Sequence, residues 1–204
     1  MSKLFMDEDA LSVLLGLAKA SLRDKAVLHM ALATGFRASD LLNLRRTDVV
    51  TFDQDSIVKT LKVKMIKTGR MVERAIPLQC RVALREYLNS RKDDNPYLFC
   101  SESNNCPSDH PMNRSSLHRM IKYYLGEMYS DEVLRGNACH VTRRSMAKLI
   151  SDKAGRIEAA TKFLRHTSIA NTIAYLDEEY YNNKANELVG GMSWNQNIKN
   201  DGGC

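Results

Sequence analysis

Ala33-Thr34-Gly35-Phe36-Arg37-Ala38-Ser39-Asp40-Leu41-Leu42 ends one helix and opens another. Residues 22–34 carry the apolar spacing of a helix. Gly35 breaks it, and Leu41, Leu42 and Leu44 give a short second helix an apolar side from about Ser39. Arg37 therefore follows a glycine turn at a helix N-terminus, where a guanidinium can present a fork of donors to an oxyanion. Asp40, three residues on, can hold that guanidinium or cap the helix. An ordinary Arg–Asp surface pair would explain the same residues.

Outward from this stretch the chain reads as helical on both sides of one hairpin. Asp7-Glu8-Asp9 precedes Leu11, Leu14, Leu15 and Leu17, so a helix opens there with negative charge at its positive end. Over residues 56–78 the period changes. Ile57, Leu61, Val63 and Met65 alternate with polar residues, Lys67-Thr68-Gly69-Arg70 supplies a turn, and Val72, Ala75 and Ile76 lead out to Pro77. Helices are expected again over about 79–91, 114–129, 141–153, 157–164, 168–175 and 178–189. The longest loop, 92–113, surrounds a short apolar strand or turn, Tyr97-Leu98-Phe99. The fold class is mainly α with one small antiparallel β-hairpin, an α+β domain.

Composition limits what such a domain can be. With 204 residues, 44% hydrophobic, and only 10 Gly and 4 Pro, the chain supports one packed core without staples, and a collagenous or disordered chain is excluded. Thirty Lys and Arg against 24 Asp and Glu give a net charge of +6, which favours an anionic partner. Cys80, Cys100, Cys106, Cys139 and Cys204 are odd in number and lack Cys-x-x-Cys spacing, as reduced thiols in a cytosolic protein would be. Cys100, Cys106, His110 and His118 also lack the paired spacing of a zinc site, so no metal is expected. No apolar run approaches the ~18 residues of a membrane span, and no membrane partner is expected.

Three further fragments carry chemistry. Lys67 sits at the hairpin turn, a good place for a mobile ammonium and equally for a solvated lysine. His140-Val141-Thr142-Arg143 sets an imidazole and a guanidinium side by side at a helix start whose partial positive charge suits a phosphate, though His140 could equally cap or pack. Phe163-Leu164-Arg165-His166-Thr167-Ser168 is followed by Tyr175, whose spacing beside Ile173 and Leu176 also fits a core tyrosine.

In order, Arg37, Lys67, His140-x-x-Arg143, His166 and Tyr175 resemble the residue set of the tyrosine recombinases, the family of phage integrases, chromosome-dimer resolvases and DNA inversion switches. The resemblance runs from about Leu11 to Leu188. It is carried most specifically by Thr34 to Leu41, the His140–Arg143 pair, and the His166 to Tyr175 interval with Thr172 between; Lys67 ahead of Ile76-Pro77-Leu78 fits the family's hairpin. It implies a catalytic domain over 1–189 and a polar tail over 190–204. Three positions depart from the family pattern. Arg165 stands where a Gly is usual and could shift the turn or add a phosphate contact, Asp40 replaces a common Glu, and Thr142 an apolar residue.

The resemblance implies a site-specific DNA recombinase in which Tyr175 attacks a phosphodiester of double-stranded DNA. A 3′-phosphotyrosyl link and a free 5′-hydroxyl result. Arg37 and Arg143, aided by His166, would clamp the nonbridging oxygens; His140 would accept or orient the phenol proton; Lys67 would protonate the departing 5′-oxygen. No cofactor is then required. Self-association in a tetrameric synapse on DNA, and a DNA-associated cytoplasmic location, follow from the same resemblance. Arg45, Arg46, Lys62, Lys64, Arg70, Arg114, Arg119 and Lys122 are candidate backbone-phosphate contacts. The separate N-terminal domain of most members has no counterpart here, as in a short member of the family or part of a longer chain. A segment over 177–194, with Trp194 as anchor, resembles the C-terminal helix that members donate to a neighbouring protomer. Rival readings are a type IB topoisomerase-like nicking-closing enzyme and a DNA-binding regulator that does not cleave.

Overall fold

A computed structural model describes residues 3–18, 21–51, 56–100, 109–134 and 140–176. Local caps and breakers set the helix ends. Asp7 accepts from Ala10 N at 2.8 Å and starts α1 (Glu8–Leu17), and Ser21 accepts from Asp24 N to start α2 (Leu22–Thr34). Gly35 ends α2 in the left-handed region at φ 59°, and α3 (Ala38–Leu42) follows after only two residues. A one-turn α4 (Arg46–Val49) leads to β1 (Thr60–Lys64), paired antiparallel with β2 (Met71–Ala75) in the register Val63 to Val72. Then come α5 (Leu78–Ser90), α6 (Arg114–Gly126), α7 (Asp131–Leu134), α8 (Val141–Ala154), α9 (Ile157–Leu164) and α10 (Ile169–Leu176). The mainly helical class with one hairpin is as expected from the sequence.

The differences are small and have local causes. α6 ends at Gly126, and the expected extension to Tyr129 is a tight turn in which Met128 N and Tyr129 N both donate to Leu125 O. The four-residue helices α4 and α7 are too short to show periodicity. Tyr97-Leu98-Phe99 forms no strand; Tyr97 makes an isolated bridge to Arg45, and Leu98 and Phe99 are fully buried. That segment is tied down by Arg91, which donates to the carbonyls of Asn95, Tyr97 and Leu98. The helix expected over 178–189, the tail and Trp194 lie outside the described residues.

α2 is the central element. Ala26, Val27, Leu28, Met30, Ala31, Leu32 and Thr34 are all buried, so it is covered on every side, by α5, α8, α1 and β2. Its one buried carboxylate, Asp24, is satisfied by Tyr124 Oη at 3.0 Å and by Arg23. A second, much smaller core joins Ala147, Ala160, Leu164 and Leu176, with Phe5, Phe163 and Tyr175 packed on it. It lies where α8, α9 and α10 meet.

Gly35 sits at the junction of the two cores. A Cβ there would lie 2.3 Å from the Phe163 ring, and its φ disfavours any side chain. Gly35→Ala combines left-handed strain of about 1–2 kcal/mol with overpacking of about 1–3 kcal/mol. We expect a loss of about 3 kcal/mol, read in thermal unfolding as a Tm fall of roughly 10 °C.

Candidate active site

Three corners of the fold converge around Tyr175. Arg37 holds the position that opens α3, directly after the Gly35 turn; His140 precedes α8, with Arg143 one turn later; and Tyr175 lies at the end of α10. Arg143 is only 7% exposed. Its guanidinium donates to Gly35 O and, at 2.7 Å, to Leu164 O, which joins the α2–α3 corner to the end of α9. Both acceptors sit at helix C-termini, where carbonyls lack intrahelical partners and carry partial negative charge. The corner that breaks the helical pattern is thus also the one that seats the site's central cation.

The rings of His140 and His166 meet Tyr175 edge-on, with centroids 6.3 and 5.3 Å away. The Tyr175 hydroxyl is buried and completes no hydrogen bond among the described residues. Arg143 still approaches it closely enough to favour the phenolate, though not in full hydrogen-bond alignment. Burial pushes the phenol above its ordinary pKa, opposed by Arg143, Arg144 and Arg37; burial prevails. Arg144, 5.7 Å from the ring centroid, adds a cation–π contact on Tyr175.

Both histidines are held below the ordinary imidazole value. Burial is the larger cause for each, followed by Arg144, Arg114, Arg143 and Arg37 around His140, and by Arg143 and Arg37 around His166. Near pH 7 they are neutral. His166 Nδ1 lies 3.1 Å from Thr172 Oγ1, which is buried and itself 2.9 Å from Thr161 Oγ1, so the ring is oriented from beneath. His140 occupies the cap position of α8 without a side-chain cap bond.

Arg37, His140, Arg143, His166 and Tyr175 are brought together. Lys67 is not: it is exposed on the turn between β1 and β2 and makes no hydrogen bond or ion pair with the described residues. Asp40 corrects the sequence reading. It neither holds Arg37 nor caps α3; it is 5% exposed, and its Oδ1 accepts from Ile66 N at 3.1 Å, stapling the hairpin turn to α3. Arg165 takes the left-handed conformation at the end of α9, φ 56°, and its Nη1 donates to Met71 O at 3.2 Å. Among the candidate phosphate contacts, Arg114 acts on His140, whereas Lys62 and Lys122 pair with Glu73 and Asp131. Arg45 and Arg46 line a separate cleft with Arg85.

Sequence reasoning missed Arg74. Its Nε donates to Thr34 O at 3.1 Å, its Nη2 to Phe163 O, and the guanidinium lies 5.2 Å from the Phe163 centroid. Burial, then Arg165 and Arg143, hold its pKa down to about 10. It looked like any cation on a strand; the one signal available was its place ahead of Ile76-Pro77.

The phage integrase family profile matches residues 5–181. The chain belongs to this family. Among the family members it resembles, the tyrosine recombinase of Thermosipho africanus is 31% identical over 181 residues, covering 84% of this chain and 56% of that protein. Tyrosine recombinase XerA of Pyrococcus horikoshii is 27% identical over 172 residues, covering 83% and 55%. The chain spans about half the length of these phage integrase relatives. Of solved structures, XerA recombinase superposes with a TM-score of 0.71 at 23% identity, over 95% of this chain and 67% of that one. XerH recombinase in a post-cleavage complex with its palindromic difH substrate gives 0.67 at 17%, over 92% and 52%. These likenesses establish the integrase catalytic fold.

Two outcomes follow from this geometry. Lowered pKa values in His29, His140 and His166 mean that the unfolded chain takes up protons first as pH falls below about 6.5. Stability is then fully present above that value and declines as pH falls below it, which chemical denaturation at a series of pH values measures. At Arg165 the backbone conformation suits glycine. Arg165→Gly is expected to stay within about 1 kcal/mol of the parent, and the β-branched Arg165→Val to lose about 1–2 kcal/mol, in thermal melts.

Proposed function

We propose that this protein is a site-specific DNA recombinase that cleaves and rejoins strands through a phosphotyrosyl intermediate. The observation that carries the reading is the buried Tyr175 hydroxyl, ringed by Arg37, Arg143 and Arg144 and faced by two neutral imidazoles. The guanidiniums favour the phenolate as it forms, and burial alone opposes it. A phosphate brought to the same place adds the negative charge that the guanidiniums are arranged to receive.

In this reading Tyr175 Oη forms a bond to phosphorus as the bond to the 5′-oxygen breaks. His140, neutral at working pH, takes the phenol proton. Arg37 and the remaining donors of Arg143 bind the nonbridging oxygens. With the Thr172 hydroxyl donating to Nδ1 of His166, Nε2 carries the proton and donates to the same phosphate. Lys67 reaches the 5′-oxygen when the hairpin enters the DNA groove and gives it a proton; its exposed position on the turn leaves it free to do so. Attack of a 5′-hydroxyl from a partner strand reverses the step, so joining requires no nucleotide. Copies of the chain act together on double-stranded DNA.

A nicked duplex built from sequence flanking the gene, incubated with the full chain, tests this. A covalent protein–DNA band on a denaturing gel is expected, absent in Tyr175→Phe and formed on the order of 10²–10³-fold more slowly in Arg37→Ala. A band of equal intensity in Tyr175→Phe refutes the assignment of the nucleophile.

A further inference from the structure

Arg74 and Arg143 come from distant parts of the chain and grip the same two helix ends. Arg74 bonds Thr34 O and Phe163 O; Arg143 bonds the next carbonyl along in each case, Gly35 O and Leu164 O. Two consecutive carbonyls at the end of α2 are thereby zipped to two consecutive carbonyls at the end of α9. The Phe163 ring fills the remaining space, stacked under Arg74 on one side and closed against Gly35 on the other.

This double clamp carries like charges at close range. Arg143 and Arg165 both lower the Arg74 pKa, and Arg37 acts in the same sense on Arg143. Carbonyls at the negative ends of α2 and α9 hold the two guanidiniums in place against that repulsion. Arg74 also belongs to β2, so the clamp is continuous with the hairpin that carries Lys67, whose turn is fixed by Asp40.

We propose that Arg74 is a positioning residue that sets Arg143 for catalysis. By holding Thr34 against Phe163 it fixes the distance between Gly35 O and Leu164 O, and so the angle at which Arg143 faces the Tyr175 hydroxyl. The inference rests on the strand-cleavage reading. A lysine cannot replace it, because one ammonium does not span two carbonyls as a planar fork does.

The test uses Arg74→Lys and Arg74→Met, each alone and combined with Arg143→Lys, in single-turnover cleavage of the nicked duplex at saturating protein. Arg74→Met is expected to slow cleavage on the order of 10²-fold and Arg74→Lys about tenfold, with DNA affinity changed less than threefold. In the Arg143→Lys background the same substitutions add little further loss, because both act through one group. Equal losses in both backgrounds overturn the proposal. A second readout is independent of activity: slowly exchanging guanidinium N–H signals of Arg143, assigned by their disappearance in Arg143→Lys, are expected in NMR of the parent and are lost in Arg74→Met at temperatures where that variant is folded. Their absence from the parent, or persistence in Arg74→Met, overturns the proposal. A parent that forms no phosphotyrosyl complex refutes the cleavage reading alone, and the NMR result still decides the positioning role.

Discussion

A buried guanidinium on the carbonyls of two helix ends is the interaction around which this domain is arranged. Removing Arg143 from water is unfavourable, and the cost is offset only because α2 and α9 both end at it. Each helix end presents carbonyls that nothing within the helix can satisfy. The same requirement explains the glycine that ends α2: a Cβ there would displace the Phe163 ring, and Gly35 O could not reach Arg143 in the same place. Conformation, packing and charge are satisfied together at this corner, and Arg37, His140, His166 and Tyr175 take their positions from it.

Much of this was legible in the residues. α2 and α9 run over the spans their apolar spacing indicated, because Ser21, Gly35 and the flanking polar residues mark their ends locally. The alternation of Leu61, Val63 and Met65 read as a half-buried strand, and those three side chains are buried. Five of the six site residues meet because each stands at a helix terminus or on a helix whose ends the sequence marks.

The parts that were not legible depend on contacts between segments far apart in the chain. Asp40, read as a partner for Arg37 three residues before it, accepts instead from Ile66, twenty-six residues away. Arg74 resembles any strand cation until Thr34 and Phe163 are placed beside it, and Arg144 stacks on Phe5 as well as Tyr175. Lys67 was placed correctly at a turn, but a turn position does not say where a four-carbon stem reaches. Arg165 is intermediate: standing where a Gly is usual, it reads as shifting the turn or adding a phosphate contact, and in the structure it takes a left-handed φ and donates to Met71 O.

The division of the interior into two cores has a consequence for motion. The main core is large and centred on α2, whereas α10 rests on Ala147, Ala160, Leu164 and Leu176 with a few flanking aromatics. Local opening free energies scale with the apolar surface that must be uncovered. Among the described residues, Tyr175 is therefore mounted on a segment whose opening uncovers little apolar surface, while the α2 corner beside Arg37 is anchored in the main core. Exposure of the Tyr175 hydroxyl can thus change while the α2 corner stays packed.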